Sequence, residues 1–306
     1  MDKFAILLKS YSGDIERAVN LVRSFTEFNR DNIPLYISVP KQDRSLFNSR
    51  IQAENIKIIN DEDVSSGLIT EKINSFSIGY INQQIVKLSF WKTGLCENYF
   101  CADSDSYFIR DFSVSDFMFN EDTPYTVLIQ DKDLAIEPEY QGMWDSRLER
   151  LEYIKKRLGV KDRLLKTCHG FGILSSKVLR SFEENYLKAN NLSYSDILKE
   201  SAFEISWYNF WLQKTKIIEI IPIEPLFKTF HYRGQYQNYR QRLITEKDIA
   251  RSYIGICLNS NWLMNSGSRR YENPSRTNRL FFRIAKNAGR IRRKIRRCGR
   301  LDRKGE

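Results

Sequence analysis

Residues 99–109 read Tyr99-Phe100-Cys101-Ala102-Asp103-Ser104-Asp105-Ser106-Tyr107-Phe108-Ile109. Four apolar residues run straight into two carboxylates, and a second apolar stretch follows. An apolar run of this length, bounded by polar residues, predicts a strand buried on both faces. Carboxylates where such a strand surfaces lie at the carboxyl edge of its sheet, where open α/β sheets bind ligands. In an extended segment, residues two apart point the same way. Two aspartates so placed can hold a hard divalent cation through oxygen and leave positions for phosphate oxygens. The chain has two more acidic triplets, Asp61-Glu62-Asp63 and Asp131-Lys132-Asp133. The first reads as a solvated turn before Ser65-Ser66-Gly67 and the third as the opening of a loop, so context singles out Asp103 and Asp105.

Outward from this block the chain alternates between strand and helix patterns. Phe4–Leu8, Pro34–Val39 and Asn55–Ile59 predict strands, and a helix capped by Asp14 carries Ile15, Val19, Val22 and Phe25 on one face. Tyr80–Leu95 predicts the helix before the Asp-Ser-Asp strand. Further on, Tyr125–Gln130, Gly170–Leu174 and Ile217–Ile223 read as strands. Met143–Gly159, Ser176–Leu187 and Phe203–Gln213 read as helices. The alternation predicts an α/β domain with a largely parallel sheet.

Composition limits the classes. A chain of 306 residues with 42% hydrophobic and 13% aromatic content is a folded protein rather than a disordered one. Its apolar runs fall far short of the roughly 20 residues a membrane helix needs. The start, Met1-Asp2-Lys3, lacks a signal peptide's apolar segment, so the expected location is the cytoplasm. Five cysteines (Cys96, Cys101, Cys168, Cys257 and Cys298) without paired spacing argue against a disulfide framework or a zinc site, and the first four read as buried thiols. Of 49 Lys+Arg and 38 Asp+Glu, 13 and 2 lie from Arg276 onward, so the whole net charge of +11 sits in that tail. A neutral body is unlike a nucleic-acid-binding domain, and no nucleic-acid partner is expected.

The segment Tyr80-Ile81-Asn82-Gln83-Gln84-Ile85-Val86-Lys87-Leu88, followed by the Asp-Ser-Asp strand, resembles a bacterial glycosyltransferase-like family of GT-A fold associated with surface-polysaccharide synthesis. The shared pattern is a Gln-Gln-x-x-Lys-Leu helix ahead of a strand ending in Asp-Ser-Asp. The opening, residues 4–14, resembles the first strand and nucleotide-contacting loop of GT-A enzymes. Ser201-Ala202-Phe203-Glu204 to Tyr208 resembles a downstream Ser-Glu-x-x-x-Tyr helix, with Phe203 where the family has Ser. Similarity spans residues 1–265, taken as one GT-A domain, a Rossmann-like nucleotide-binding sheet flanked by helices; residues 266–306 form a separate basic tail.

The resemblance implies a nucleotide-sugar donor, Mn²⁺ or Mg²⁺, and a saccharide or lipid-linked glycan acceptor. It implies that Asp103 meets ribose and metal, that Asp105 ligates the metal, and that Ser10 and Asp14 lie on the nucleotide. GT-A enzymes often add a histidine ligand from a C-terminal segment, which points to His231. Gln84 and Lys87 share a helix face, and Lys87 is the candidate for the diphosphate. Glu204, among Phe203, Ile205 and Trp207, is the candidate general base, since apolar surroundings raise a carboxyl pKa. His169, Arg233 and Tyr236 are further acceptor or diphosphate candidates.

In the tail, Phe281, Ile284, Ala288, Ile291 and Ile295 align on one helical face, and Arg283, Lys286, Arg290, Arg293, Lys294 and Arg297 fill most of the rest. That pattern suits an anionic membrane surface, which places the enzyme peripherally on the inner face of the cytoplasmic membrane. Two other readings fit some of these features. One is a membrane- or nucleic-acid-binding protein whose nucleotide site is degenerate. The other is a nucleotidyltransferase, although Ser10–Asp14 lacks the Gly-rich basic loop of that class.

Overall fold

The computed structural model describes residues 1–73, 76–129, 135, 137–161, 171–263 and 270–275. Asp131-Lys132-Asp133, His169 and the basic amphipathic tail therefore lie outside the described residues. Two compact units form. One holds residues 1–228 with Tyr253–Cys257, and the other holds Thr229–Ser252 and the described residues from Leu258 on.

The first unit is built on a five-stranded sheet in the order β3-β2-β1-β4-β7. Its strands are β1 (Asp2–Lys9), β2 (Leu35–Val39), β3 (Ile56–Asn60), β4 (Cys96–Asp103) and β7 (Ile173–Ser175). The first four run parallel, and β7 pairs antiparallel with β4. Burial on both faces explains the unbroken apolar runs. On β1, Ala5 and Leu7 enter one core layer, while Phe4, Ile6 and Leu8 enter the other. On β4, Tyr99 and Cys101 join the first layer, and Phe100 and Ala102 the second.

The helices Ile78–Ser89 and Glu204–Thr215 belong to the first layer. The second is buried from Glu204 to Gln213, with the polar Glu204, Ser206, Asn209 and Gln213 buried alongside its apolar residues. The helix Ile15–Phe28 covers the other layer with Ala18, Leu21, Val22 and Phe25, a stripe rotated from the expected one so that Ile15 and Val19 are only partly buried. A smaller sheet, in the order β5-β10-β9, joins β5 (Ser106–Phe108), β10 (Gly255–Leu258) and β9 (Phe227–Phe230). The short pair β6 (Thr126–Val127) and β8 (Pro222–Ile223) replaces the two long strands expected at 125–130 and 217–223. The Glu204–Thr215 helix ends on Lys216 in the left-handed conformation, and Ile217 after it is exposed.

The second unit has an aromatic core. Phe230 stacks on Tyr271 and meets Tyr236 and Tyr239 edge-on, and Tyr236 packs on Trp262. The helix Arg233–Gln241 carries Tyr236 and Tyr239. Among the described residues, no helix is long and apolar enough to cross a membrane.

Gly255 shows how tightly the small sheet is packed. A Cβ there would lie 2.1 Å from Cε1 of Phe227, and Phe227 is held against Phe171, Phe100 and Phe108 at ring-centroid distances of 4.8, 5.5 and 5.2 Å. Gly255→Ala is expected to destabilise the protein by about 1–3 kcal/mol through overpacking, read as a lowered urea midpoint.

Candidate active site

The strand order places a crevice. The chain builds β1, β2 and β3 in one direction and then returns to lay β4 on the other side of β1. Ligands of open α/β sheets bind at the carboxyl ends of the two strands that flank such a reversal. Here those ends are Lys9 and Asp103, which face each other in register. Ser10 follows Lys9, and the Asp-Ser-Asp segment follows from β4.

Asp103 is the last residue of β4, and Ser104 and Asp105 form a turn into β5. The segment is not extended through Asp105, so strand alternation is not what relates the two carboxylates. The turn carries the chain from the large sheet to the small one, and each aspartate is held from a different side. Asp103 Oδ1 accepts from Lys87 Nζ at 2.8 Å and from Gln83 Nε2 at 3.0 Å. Its Oδ2 accepts no hydrogen bond among the described residues, and the side chain stays 21% exposed. Asp105 Oδ1 accepts from the Cys257 thiol of β10 at 3.2 Å. Burial, then the charges of Asp105 and Asp103, push that thiol's pKa well up.

Lys87 does not reach open solvent. It is 2% exposed, and its Nζ also lies 3.2 Å from Glu204 Oε1. The Ile78–Ser89 helix presents Lys87 from one side, and Glu204, at the first position of its own helix, meets it from the other. Burial drags the ammonium down, but Asp103 and Glu204 outweigh it, and Lys87 is held above the usual lysine range. Burial pushes the Glu204 carboxyl up; Lys87 opposes that, and Asp103 adds to it. Lys87 and Glu204 are both buried and joined to Asp103 through the Lys87 ammonium.

The loop after β1 closes the other wall. Asp14 does not cap its helix with its side chain; its Oδ2 accepts from Ser104 Oγ at 3.1 Å and its Oδ1 from Arg17 at 2.8 Å. Ser10 is buried, donates its N–H to Ser38 O at 3.0 Å, and has a buried Oγ without a hydrogen-bond partner. Gln84 is buried with its Nε2 on Tyr80 O, so Gln83, not Gln84, meets Asp103. His231 lies in the second unit, where its N–H donates to Gln235 Oε1 at 2.8 Å. Arg233 is exposed at the start of the second unit's helix, and the Tyr236 hydroxyl there accepts from the Glu272 N–H.

Three participants escaped the sequence reading. Gln83 was legible as the residue four before Lys87 in the Gln-Gln-x-x-Lys pattern. Cys257 carried no local signal, because its partner lies 152 residues away. Asp61, expected in a solvated turn, is buried at the end of β3, 3.0 Å from the Nζ of buried Lys9, and its Oδ1 accepts from Ser38 Oγ at 2.7 Å. A lone lysine closing an apolar strand was the overlooked sign that a carboxylate had to meet it.

Among the described residues, no group of three or more His, Cys, Asp or Glu side chains forms a metal cage. The donor set still fits a cation shared with a substrate. Mg²⁺ and similar ions are held by one or two carboxylates plus phosphates and water, and Asp103 Oδ2 and the Asp105 carboxylate supply that number.

The chain belongs to the family described as a family of unknown function, DUF6492, which matches residues 5–248. No curated protein matches it. Among solved structures, an active-site mutant of LgtC is similar over 84% of this chain and 86% of that one, at 12% identity and a TM-score of 0.51. LgtC solved as a galactosyltransferase with donor and acceptor sugar analogs gives 12% identity, the same coverage and a TM-score of 0.46. Mouse xyloside xylosyltransferase 1 in its apo form gives 8% identity over 84% of this chain and 98% of that one, at a TM-score of 0.45. The fold is that of GT-A glycosyltransferases, a parallel-rich sheet flanked by helices.

Two outcomes follow from the Lys87 arrangement. Lys87→Met strands two carboxylates and is expected to cost about 3–5 kcal/mol; adding Glu204→Gln recovers part of that, measured by urea unfolding. The second concerns pH. A folded Glu204 pKa above the ordinary 4.5 stabilises the fold fully below that value and loses the contribution as pH rises through the folded pKa. Gln mimics the protonated acid, so the stability of the wild type relative to Glu204→Gln is expected to fall as pH rises above 4.5, read by urea unfolding across a pH series.

Proposed function

We propose that this DUF6492-family chain is a glycosyltransferase that moves a sugar from a nucleotide-diphosphate donor to a saccharide or lipid-linked glycan acceptor. One observation carries the reading. Two carboxylates lie at the carboxyl end of β4, at the strand-order reversal of a GT-A-type sheet, and Asp103 Oδ2 accepts no hydrogen bond among the described residues. LgtC, which shares this fold, is a galactosyltransferase.

Asp103 Oδ2 and the Asp105 carboxylate would hold Mn²⁺ or Mg²⁺ against the donor diphosphate. When bound, the cation offsets the charge that develops on the departing diphosphate. The chain's own residues orient the site. Lys87 and Gln83 fix Asp103 through its other oxygen, Cys257 fixes Asp105, and the Ser104–Asp14 hydrogen bond holds the post-β1 loop against the turn. Ser10, at the end of β1 with an unpartnered buried hydroxyl, lies on the expected nucleotide side. The basic segment from Arg276 supports a peripheral place on an anionic membrane, where each basic residue contributes about 1 kcal/mol; an acceptor of bacterial surface-polysaccharide synthesis suits that location.

A thermal-shift panel with UDP, GDP and CDP, with and without Mn²⁺, tests the reading. Because the protein supplies two oxygen ligands rather than a cage, Mn²⁺ alone is expected to shift the melt little. Mn²⁺ with the cognate nucleotide at about 100 times its Kd adds roughly 2.7 kcal/mol. Asp105→Ala is expected to abolish the joint shift and turnover while keeping the apo melting temperature. Retention of both in that variant would remove Asp105 from the site, and the absence of a shift with any nucleotide would sink the transferase reading.

A further inference from the structure

Beside the proposed donor site, three helices bring together a charged group that the reading above does not use. Arg150 lies on the helix Gln141–Leu158. Its guanidinium sits over two rings, 5.4 Å from the Phe203 centroid and 5.9 Å from that of Phe76. Phe203 immediately precedes Glu204. Phe76 stacks on Tyr80 at 5.2 Å, at the start of the helix that carries Gln83 and Lys87. The Tyr80 hydroxyl donates to Ala202 O at 3.4 Å, and the ring is 40% exposed. Burial of that hydroxyl pushes its pKa up to about 12, with the charges of Glu204, Lys87, Arg150 and Asp103 all acting on it. The Arg150 cluster and the Lys87 cluster are thus neighbours within one unit.

Arg150 differs from the other cations here. Lys9 and Lys87 each have a carboxylate within hydrogen-bond distance, whereas among the described residues Arg150 makes no ion pair. The two rings lie within cation–π range of the guanidinium, and among the described residues no carboxylate pairs with its N–H groups. A planar fork of this kind matches a carboxylate or a phosphate through two parallel hydrogen bonds. An exposed tyrosine ring next to it offers a flat apolar surface. An acidic sugar presents the complement of both, with C–H groups on one face of the ring and a carboxylate or phosphate at its edge.

We propose that Arg150, with Tyr80 beside it, forms a subsite for an anionic group on the acceptor, the carboxylate of an acidic sugar or the phosphate of a phosphorylated one. The inference rests on the glycosyltransferase reading and narrows its acceptor class. Arg150 anchors the acceptor by its charge, and Tyr80 supports the ring that the charge belongs to.

Binding to the full-length protein, with UDP and Mn²⁺ present, tests it by calorimetry or saturation-transfer NMR. The probes are p-nitrophenyl β-glucuronide, glucose 1-phosphate and the neutral p-nitrophenyl β-glucoside. At least one anionic probe is expected to bind more tightly than the glucoside. The stronger of the two identifies carboxylate or phosphate as the source. Arg150→Gln weakens that binding about tenfold or more, the size of a lost charge-assisted pair. Arg150→Lys, which keeps the charge but not the fork, falls between. Equal binding of the anion to wild type and Arg150→Gln, or no preference over the glucoside, overturns the proposal. The wild-type nucleotide shift, recorded in parallel, separates the two failures. If no nucleotide binds but the anion still needs Arg150, the transferase reading falls and the anion site stands. If nucleotide binds and Arg150→Gln changes nothing, the subsite falls alone.

Discussion

A lysine ammonium sits in the interior of this protein between two carboxylates, and the geometry of the site follows from that placement. A buried cation is tolerated only where opposite charge and hydrogen bonds replace its lost hydration. Asp103 and Glu204 supply both, at 2.8 and 3.2 Å from the Lys87 Nζ. Satisfying Lys87 therefore requires the end of β4, the last turn of one helix and the first turn of another to meet at one point. Once they do, one oxygen of Asp103 is committed to Lys87 and Gln83, and the other accepts no hydrogen bond among the described residues. The position of Glu204 in the first turn of its helix also suits a negative charge, because the N-terminal end of a helix is the positive end of its dipole.

The second aspartate is governed differently. Asp105 lies in the turn, at the entrance to the small sheet, and accepts from the thiol of Cys257. The pair combines a carboxylate locked by an ion pair with one steadied by a weak donor. The loop after β1 adds a third tie through Ser104 and Asp14. At the far side of β1, Lys9 and Asp61 repeat the buried pairing on a smaller scale and fix the ends of β1 and β3 across Ser38.

How much of this was legible in the sequence depended on whether the cause was local. Phe4–Leu8 and Tyr99–Ala102 announced doubly buried strands, because burial on both faces leaves no room for alternation. The Asp-Ser-Asp turn announced itself as the end of one of them. The Ile217–Ile223 run failed as a strand because apolar content alone does not supply pairing partners; only Pro222 and Ile223 found them. The burial of Asp61, the reach of Cys257 to Asp105 and the closure of Lys87 on Glu204 all join positions far apart in the chain. No spacing rule encodes such meetings. Lys87 was recognised as a site residue from its helix pattern, but its burial depended on Glu204, 117 residues later.

The turn from β4 to β5 has one more implication. Asp103 belongs to the large sheet, Asp105 meets Cys257 of the small one, and Phe227 of the small sheet packs on both Phe100 of β4 and Phe108 of β5. Those rings couple the two sheets, so a substitution among them would be felt at both aspartates through the strands that carry them, not through any group that the aspartates touch.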